Sequence, residues 1–329
     1  MQDNRNRIDS FDIARGLGII LVIIGHTYTP GFTKQIIYLF HMPLFLFISG
    51  CFFKCRAISD LLKRDFKRLL APYLYTCLFI IAYKCVTGAI CGMSVLPIAK
   101  NWLLASLYGL PGPDLTAIIQ IDRIGAIWFF EAVFWADIEL TLIEKIKNRN
   151  IGWGIIIAAN ILSVLLAEWI WLPCNIQTGF AACPFMALGK DLFNNNEYKT
   201  FAKKRTVLLA SVIICALLII ISAKKNVAFE IAYLHYPNGL FDVLGGFLGS
   251  VLFLQFMEVF QANCWASNIF KSIGKCSSYI LCVHVFDLDC FGRFIEHGAF
   301  LLCFRLVFDI SIGVLIGKIL HRYKFGSNR

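Results

Sequence analysis

The sequence predicts an all-α fold: a polytopic membrane helical bundle of about ten transmembrane helices. Three observations carry that expectation. Hydrophobic residues make up 58% of the chain and charged residues 16%, with a mean hydropathy of +0.70. Soluble domains hold roughly 45–50% apolar and about 25% charged residues. The apolar residues gather into runs of about 20, the length that crosses a ~30 Å hydrocarbon core as an α-helix. Lysine and arginine gather in alternate connecting segments, as positive-inside topology requires. A soluble enzyme with a single anchor is thereby excluded. The net charge of +10 follows mostly from topology, so nucleic acid is not an expected partner and membrane lipid is.

Taken in order, spans are predicted near 13–30, 36–53, 72–92, 125–143, 151–172, 175–193, 206–223, 240–260, 276–296 and 299–320. The first follows Arg5 and Arg7, and the third follows the basic segment Lys54 to Arg68. The fifth follows Lys145, Lys147 and Arg149. The seventh lies between Arg205 and Lys224. The sixth and ninth hold the most polar residues. No long soluble segment follows any span and no internal repeat is evident. Residues 1–329 therefore read as a single membrane domain, with no fused soluble domain.

With the N-terminus inside, 21 of the 31 basic residues fall on inner segments, six on outer ones and four within spans. That asymmetry predicts cytoplasmic termini and a multi-pass location in the cell (inner or plasma) membrane. The first run resembles a signal peptide only in outline. Asp12 and Arg15 interrupt its start, and no small-x-small cleavage site follows His26. The 13 cysteines form no C-x-x-C pair, and most act as small apolar residues in spans. No Cys/His cluster has zinc-site spacing, so no metal is expected. Cys174 has no clear outer-side partner for a disulfide.

The first two spans carry polar groups that hydrocarbon should exclude. Arg15 and His26 are eleven residues apart. At ~100° per residue this leaves only ~20° beyond three full turns, so both lie on one helical stripe, ~16 Å apart along the axis. His26 is expected deep in the membrane. The ten residues between Arg15 and His26, followed by FHMPLFLFISG (Phe40 to Gly50), resemble the acyltransferase 3 family of integral-membrane acyltransferases. The fit is closest to its fucose 4-O-acetylase-like branch. The resemblance continues in KRDFKRLLAPY (Lys63 to Tyr73), IWFFEAVF (Ile127 to Phe134) and SIGKCSSYILCVH (Ser272 to His284).

His26 is the leading catalytic candidate. It reads either as an interhelical hydrogen-bonding histidine or, with Arg15 on its stripe and the family pattern around it, as a general base. Arg15 reads as a donor anchor, as a snorkelling arginine paired with Asp12 at i, i+3, or as both. His41 is the third catalytic candidate, near enough in expected depth to orient His26 or the acceptor. Lys63, Arg64, Lys67, Arg68 and Tyr73 sit in a basic amphipathic segment. It either anchors to anionic lipid or binds the phosphates of coenzyme A. Glu131, His284 and Asp287 are candidates for acceptor binding or support, as is Asp12. Pairing with a basic residue such as Arg305 is the rival reading for the carboxylates. Ser49 and Gly50 suit close helix packing better than nucleophilic catalysis.

The resemblance implies an O-acyltransferase moving an acetyl group from cytosolic acetyl-CoA to a hydroxyl of a cell-envelope sugar or glycan precursor. Acetyl-CoA would be a co-substrate, with no cofactor bound permanently. Lack of a fused extracytoplasmic hydrolase-like domain makes a second transfer step and a preassembled polymer acceptor less expected. The rival from another class is a proton-coupled secondary transporter or exporter, with His26, Glu131 and Asp287 as its path.

Overall fold

A computed structural model describes residues 2–27, 31–112, 122–194, 201, 204–263, 266–290 and 298–326. Among them it has thirteen α-helices and no β-strand beyond one isolated bridge, Glu230 to His235. The helices are α1 (Gln2–Thr27), α2 (Gly31–Cys51), α3 (Ile58–Asp65), α4 (Ala71–Ile90), α5 (Val95–Tyr108), α6 (Trp128–Ile143) and α7 (Arg149–Ala167). They continue as α8 (Ile176–Asn194), α9 (Arg205–Lys225), α10 (Leu240–Asn263), α11 (Ser267–Lys275), α12 (Ser277–Cys290) and α13 (Ala299–Gly326).

Each of the ten predicted intervals holds a helix. Seven stretches of described helix are long and apolar enough to cross a membrane. The intervals that fall short are those of α6, α8 and α12. α6 is 16 residues long and α12 is described for 14 residues, up to Cys290, while α8 carries Gln177, Thr178, Lys190 and Asp191 among its apolar residues. Among the described residues, length and composition thus support seven of the ten expected spans. Two helices were not expected: α11 lies in the connection between the eighth and ninth predicted spans, and α5 occupies part of the supposed outer loop. Gly109 closes it in the left-handed conformation, φ +69°, which a residue without Cβ adopts at no steric cost.

The chain divides into two compact units. The first comprises residues 1–45, 196–229 and 237–329, and holds α1, the start of α2 and α9 to α13. Here α11 lies along α1, and α12 pairs with α13. The α1–α11 contact is backbone to backbone. A Cβ on Gly16 would come within 2.1 Å of the Phe270 carbonyl oxygen, and one on Gly274 within 1.7 Å of that of Asp12. Small residues allow such approach between membrane helices.

The second unit comprises residues 46–195 and 230–236. It holds the end of α2 and α3 to α8. A five-residue π-helical segment, Phe66–Leu70, joins α3 to α4 in one continuous stretch of helix from Ile58 to Ile90. α6 and α7 pack on α8, and α5 folds back along α4. At the end of α2, a Cβ on Gly50 would fall 2.0 Å from the Met186 carbonyl oxygen of α8. The Ser49-Gly50 pair therefore ends at a tight helix crossing, in keeping with a packing role.

Candidate functional site

The first unit builds a polar cluster from α1, α12 and α13. α1 runs unbroken from Gln2 to Thr27, so Arg15 and His26 do share one helical stripe. His26 lies in the last turn of α1 and is exposed. Within the first unit its ring is therefore not enclosed by neighbouring helices. An exposed ring is the arrangement a substrate-facing group requires. Arg15 Nη1 reaches Asp12 Oδ1 at 3.5 Å, the expected i, i+3 pair. Asp12 is buried, so it fixes the side from which the guanidinium leaves the helix.

Behind His26 stands His284, fully buried in α12. His26 Nδ1 and His284 Nε2 are 3.3 Å apart. The ring planes differ by only 12° and their centroids are 5.4 Å apart. The centroid spacing exceeds the nitrogen spacing by about the two ring radii, so the rings meet end to end rather than face to face. His284 Nδ1 donates to Asp309 Oδ2 at 2.8 Å. One helical turn along, Arg305 Nε donates to Asp287 Oδ2 at 2.8 Å, and Arg305 Nη1 donates to Thr27 Oγ1 at 3.3 Å. Thr27 in turn donates to the Ile23 carbonyl at 2.7 Å. The guanidinium therefore sits at the C-terminus of α1, where the helix dipole favours a cation.

This cluster follows from how α12 and α13 meet. Ile280 lies against Gly313 and Cys276 against Gly317, at distances no other side chain would permit. A Cβ on Gly313 would fall 2.6 Å from Ile280 Cα. The antiparallel pairs Cys276–Gly317, Ile280–Gly313, His284–Asp309 and Asp287–Arg305 succeed one another at about one-turn spacing. The two glycines thus draw the helices together and set the register that places His284 on Asp309.

His41 lies in the same unit but makes different contacts. It is buried, its Nδ1 donates to the Ile37 carbonyl at 2.8 Å, and its ring is 4.8 Å from that of Tyr38. Tyr38 donates to the Gly25 carbonyl at 3.3 Å, next to His26 in sequence.

The second unit holds the other predicted residues. Arg64 makes a two-pronged contact with Asp65, Nε to Oδ1 at 2.8 Å and Nη2 to Oδ2 at 3.0 Å. Arg64 and Arg68 also both reach Asp137 Oδ2, at 2.9 and 2.8 Å. Two buried carboxylates therefore balance the two guanidiniums. Lys63 and Lys67 are exposed on the same segment, and the charge in excess for an anion is theirs. Tyr73 donates to the Ser106 carbonyl at 2.6 Å, which ties α4 to α5. Glu131 is buried, with Oε2 unpartnered among the described residues. A Cβ on Gly109 would fall 1.9 Å from that oxygen, so glycine there serves the close approach as well as the turn.

Among the predicted residues, His26, His284 and Asp287 come together with Arg305 as Asp287's partner. Asp309, Asp65 and Asp137 were not anticipated. Each is a carboxylate inside or beside a span, a signal in itself, but nothing in the sequence names its partner. His284, Asp287 and Asp309 offer ligand atoms within 4.8 Å of one another, a group that could hold a metal ion. Two of their atoms already bind Arg305 and a protonated imidazole nitrogen, so a cation occupies one side of the cluster.

The chain matches the family model described as an acyltransferase domain, acyltransferase 3, over residues 8–317. It is 31% identical over 186 residues to the nodulation protein NolL of Mesorhizobium japonicum, covering 49% of this chain and 42% of that one. It is 27% identical over 207 residues to the nodulation protein NolL of Sinorhizobium fredii, covering 56% and 48%. The chain thus matches about half the length of these curated relatives. No solved structure matches.

Proposed function

Because the chain belongs to the acyltransferase 3 family, we propose that it is a membrane O-acyltransferase that moves an acetyl group from acetyl-CoA to a sugar hydroxyl of the cell envelope. The observation that carries this reading is α1. One helix presents an arginine and an exposed histidine on one stripe, ~16 Å apart. A long, thin donor with phosphates at one end and a thioester at the other suits that spacing. Arg15, steadied by Asp12, anchors donor phosphate. On the second unit, taken by itself, Lys63 and Lys67 offer positive charge to an anion such as a donor phosphate, with Arg64, Arg68 and Tyr73 holding that segment in place. His26 removes the proton from the acceptor hydroxyl as its oxygen attacks the thioester carbonyl carbon. The tetrahedral intermediate then expels the CoA thiolate, which recovers the proton. Asp287 supports the acceptor side by holding Arg305 on Thr27. His41 holds the α2 face near the end of α1.

The test is direct. The purified protein is incubated with acetyl-labelled acetyl-CoA and membrane glycan precursors, and both CoA release and label transfer are followed. The expected result is transfer by the wild type and a loss of roughly 10²–10⁴-fold in His26→Gln, the size of a general-base contribution. Glutamine hydrogen-bonds but does not take a proton at neutral pH. Substantial turnover by a stable His26→Gln protein removes His26 from the chemistry. Silence of the wild type in both assays turns the reading towards proton-coupled transport.

A further inference from the structure

We propose that the buried pair His284–Asp309 is a positioning and proton-holding relay for His26. The inference rests on the reading of His26 as the base and names what sets that base. A carboxylate only accepts hydrogen bonds. His284 Nδ1, 2.8 Å from Asp309 Oδ2, therefore carries the proton. The neutral ring's other nitrogen, Nε2, is then an acceptor, and it faces His26 Nδ1 at 3.3 Å. His26 Nδ1 must donate, which leaves the lone pair on His26 Nε2. Asp309, two residues removed through hydrogen bonds, thus selects the tautomer in which the exposed ring is a base at its outer nitrogen.

The charge arrangement adds a second role. In this cluster Arg305 is hydrogen-bonded to Asp287 and acts on Asp309 only through space. Asp309 Oδ1 has no hydrogen-bond partner among the described residues. The groups facing His284 are His26 from α1, Asp309 and Arg305 from α13, and Asp287 from its own helix. Together they hold one carboxylate more than they hold cations. When the acceptor O–H bond breaks and its oxygen bonds to the thioester carbon, the proton goes to His26 Nε2. The Nδ1 proton of His26 then moves to His284 Nε2. His26 is neutral again and the positive charge rests on His284 beside Asp309. Expulsion of the thiolate reverses both transfers, and the thiolate leaves as the thiol.

The isostere and the homologue of Asp309 separate relay from packing. Asp309→Asn keeps shape but its amide donates to His284 Nδ1, turning His284 Nε2 into a donor and reversing the His26 tautomer. Asp309→Glu keeps the charge and changes length. The relay predicts a fall in kcat of at least ~10²-fold in the Asn variant, in line with the effect of a reversed tautomer in a hydrolase triad. It also predicts an unchanged apparent KM for acetyl-CoA and partial recovery in the Glu variant. Packing predicts the opposite order, with Asn the better substitute. Turnover within about threefold of wild type in Asp309→Asn overturns the relay. So does a Glu variant as poor as Asn, or a loss shared with CoA binding. His26→Gln, measured beside them, keeps the readings apart. If it is dead while Asp309→Asn is active, His26 stands and the relay falls. If it is active, the base assignment itself fails.

Discussion

At the scale of single residues, the first unit sets two charged groups in contrasting situations. Arg305 and Asp287 are buried partners, and a pair like this contributes through mutual satisfaction. Removing one partner leaves an uncompensated buried charge, which costs about 3–5 kcal/mol. Arg15 is part-exposed and its contact with Asp12 is long, 3.5 Å, so its guanidinium is accessible to a ligand in a way that the buried Arg305 is not. Arg15→Lys keeps the charge but loses the planar fork that grips phosphate on two sides. The apparent requirement for acetyl-CoA is therefore expected to rise several-fold, that for acceptor to change less, and the melting temperature to stay near wild type. Initial rates titrated separately in donor and acceptor check this, and a well-folded Arg15→Ala protein with unchanged donor dependence refutes it.

At the scale of helices, the α12–α13 crossing holds the site. A Cβ at Gly313 meets the backbone of Ile280, which has nowhere to yield. Gly313→Val is expected to push the helices apart one turn from His284 and Asp309. It should lower both thermal stability, by about 1–3 kcal/mol as overpacking does, and acyl transfer. Gly154 in α7 is the control: nothing lies within 4 Å of a Cβ there, and Gly154→Ala should leave both unchanged. Thermal melts with turnover on the same preparations decide it. This crossing also marks where the sequence was readable and where it was not. Hydropathy located a helix in each of the ten intervals, because lipid-facing length is a local property. α5 was hidden from it, since 14 residues fall below spanning length, although Ser94, Pro97 and Gly109 bracket it as start and stop signals. His284 and Asp287 were legible as polar groups in a span. Arg305 was legible as one possible partner for the carboxylates, but Asp309 was not: Arg305, Asp309, Gly313 and Gly317 recur every four residues on one stripe, and their register against α12 is a tertiary fact.

At the scale of the whole chain, the bias of 21 inner to six outer basic residues predicts both ends in the cytoplasm, and the structure supplies probes for it. Cys55 follows α2, Cys91 follows α4 and Cys174 follows α7, and all three are exposed. If Arg5 and Arg7 are inside, α2 returns the chain to the cytoplasm, so Cys55 lies within the basic inner segment. The helix from Ile58 to Ile90 then carries Cys91 outside, and α7 carries Cys174 outside from the inner Arg149. Single-cysteine proteins keeping one of these three are treated in intact cells with a membrane-impermeant maleimide. Cys91 and Cys174 should label before lysis and Cys55 only after it. A reporter fused at Arg329 should be active only in a form that requires the cytoplasm. The proposed donor role of Lys63 and Lys67 depends on the same result, because cytosolic acetyl-CoA would reach them only on that face. Labelling of Cys55 in intact cells would invert the chain and take the basic segment away from the donor. Labelling of Cys91 without Cys174 would keep the donor face and break the topology at α6 or α7, where α6, at 16 residues, is too short to cross by itself.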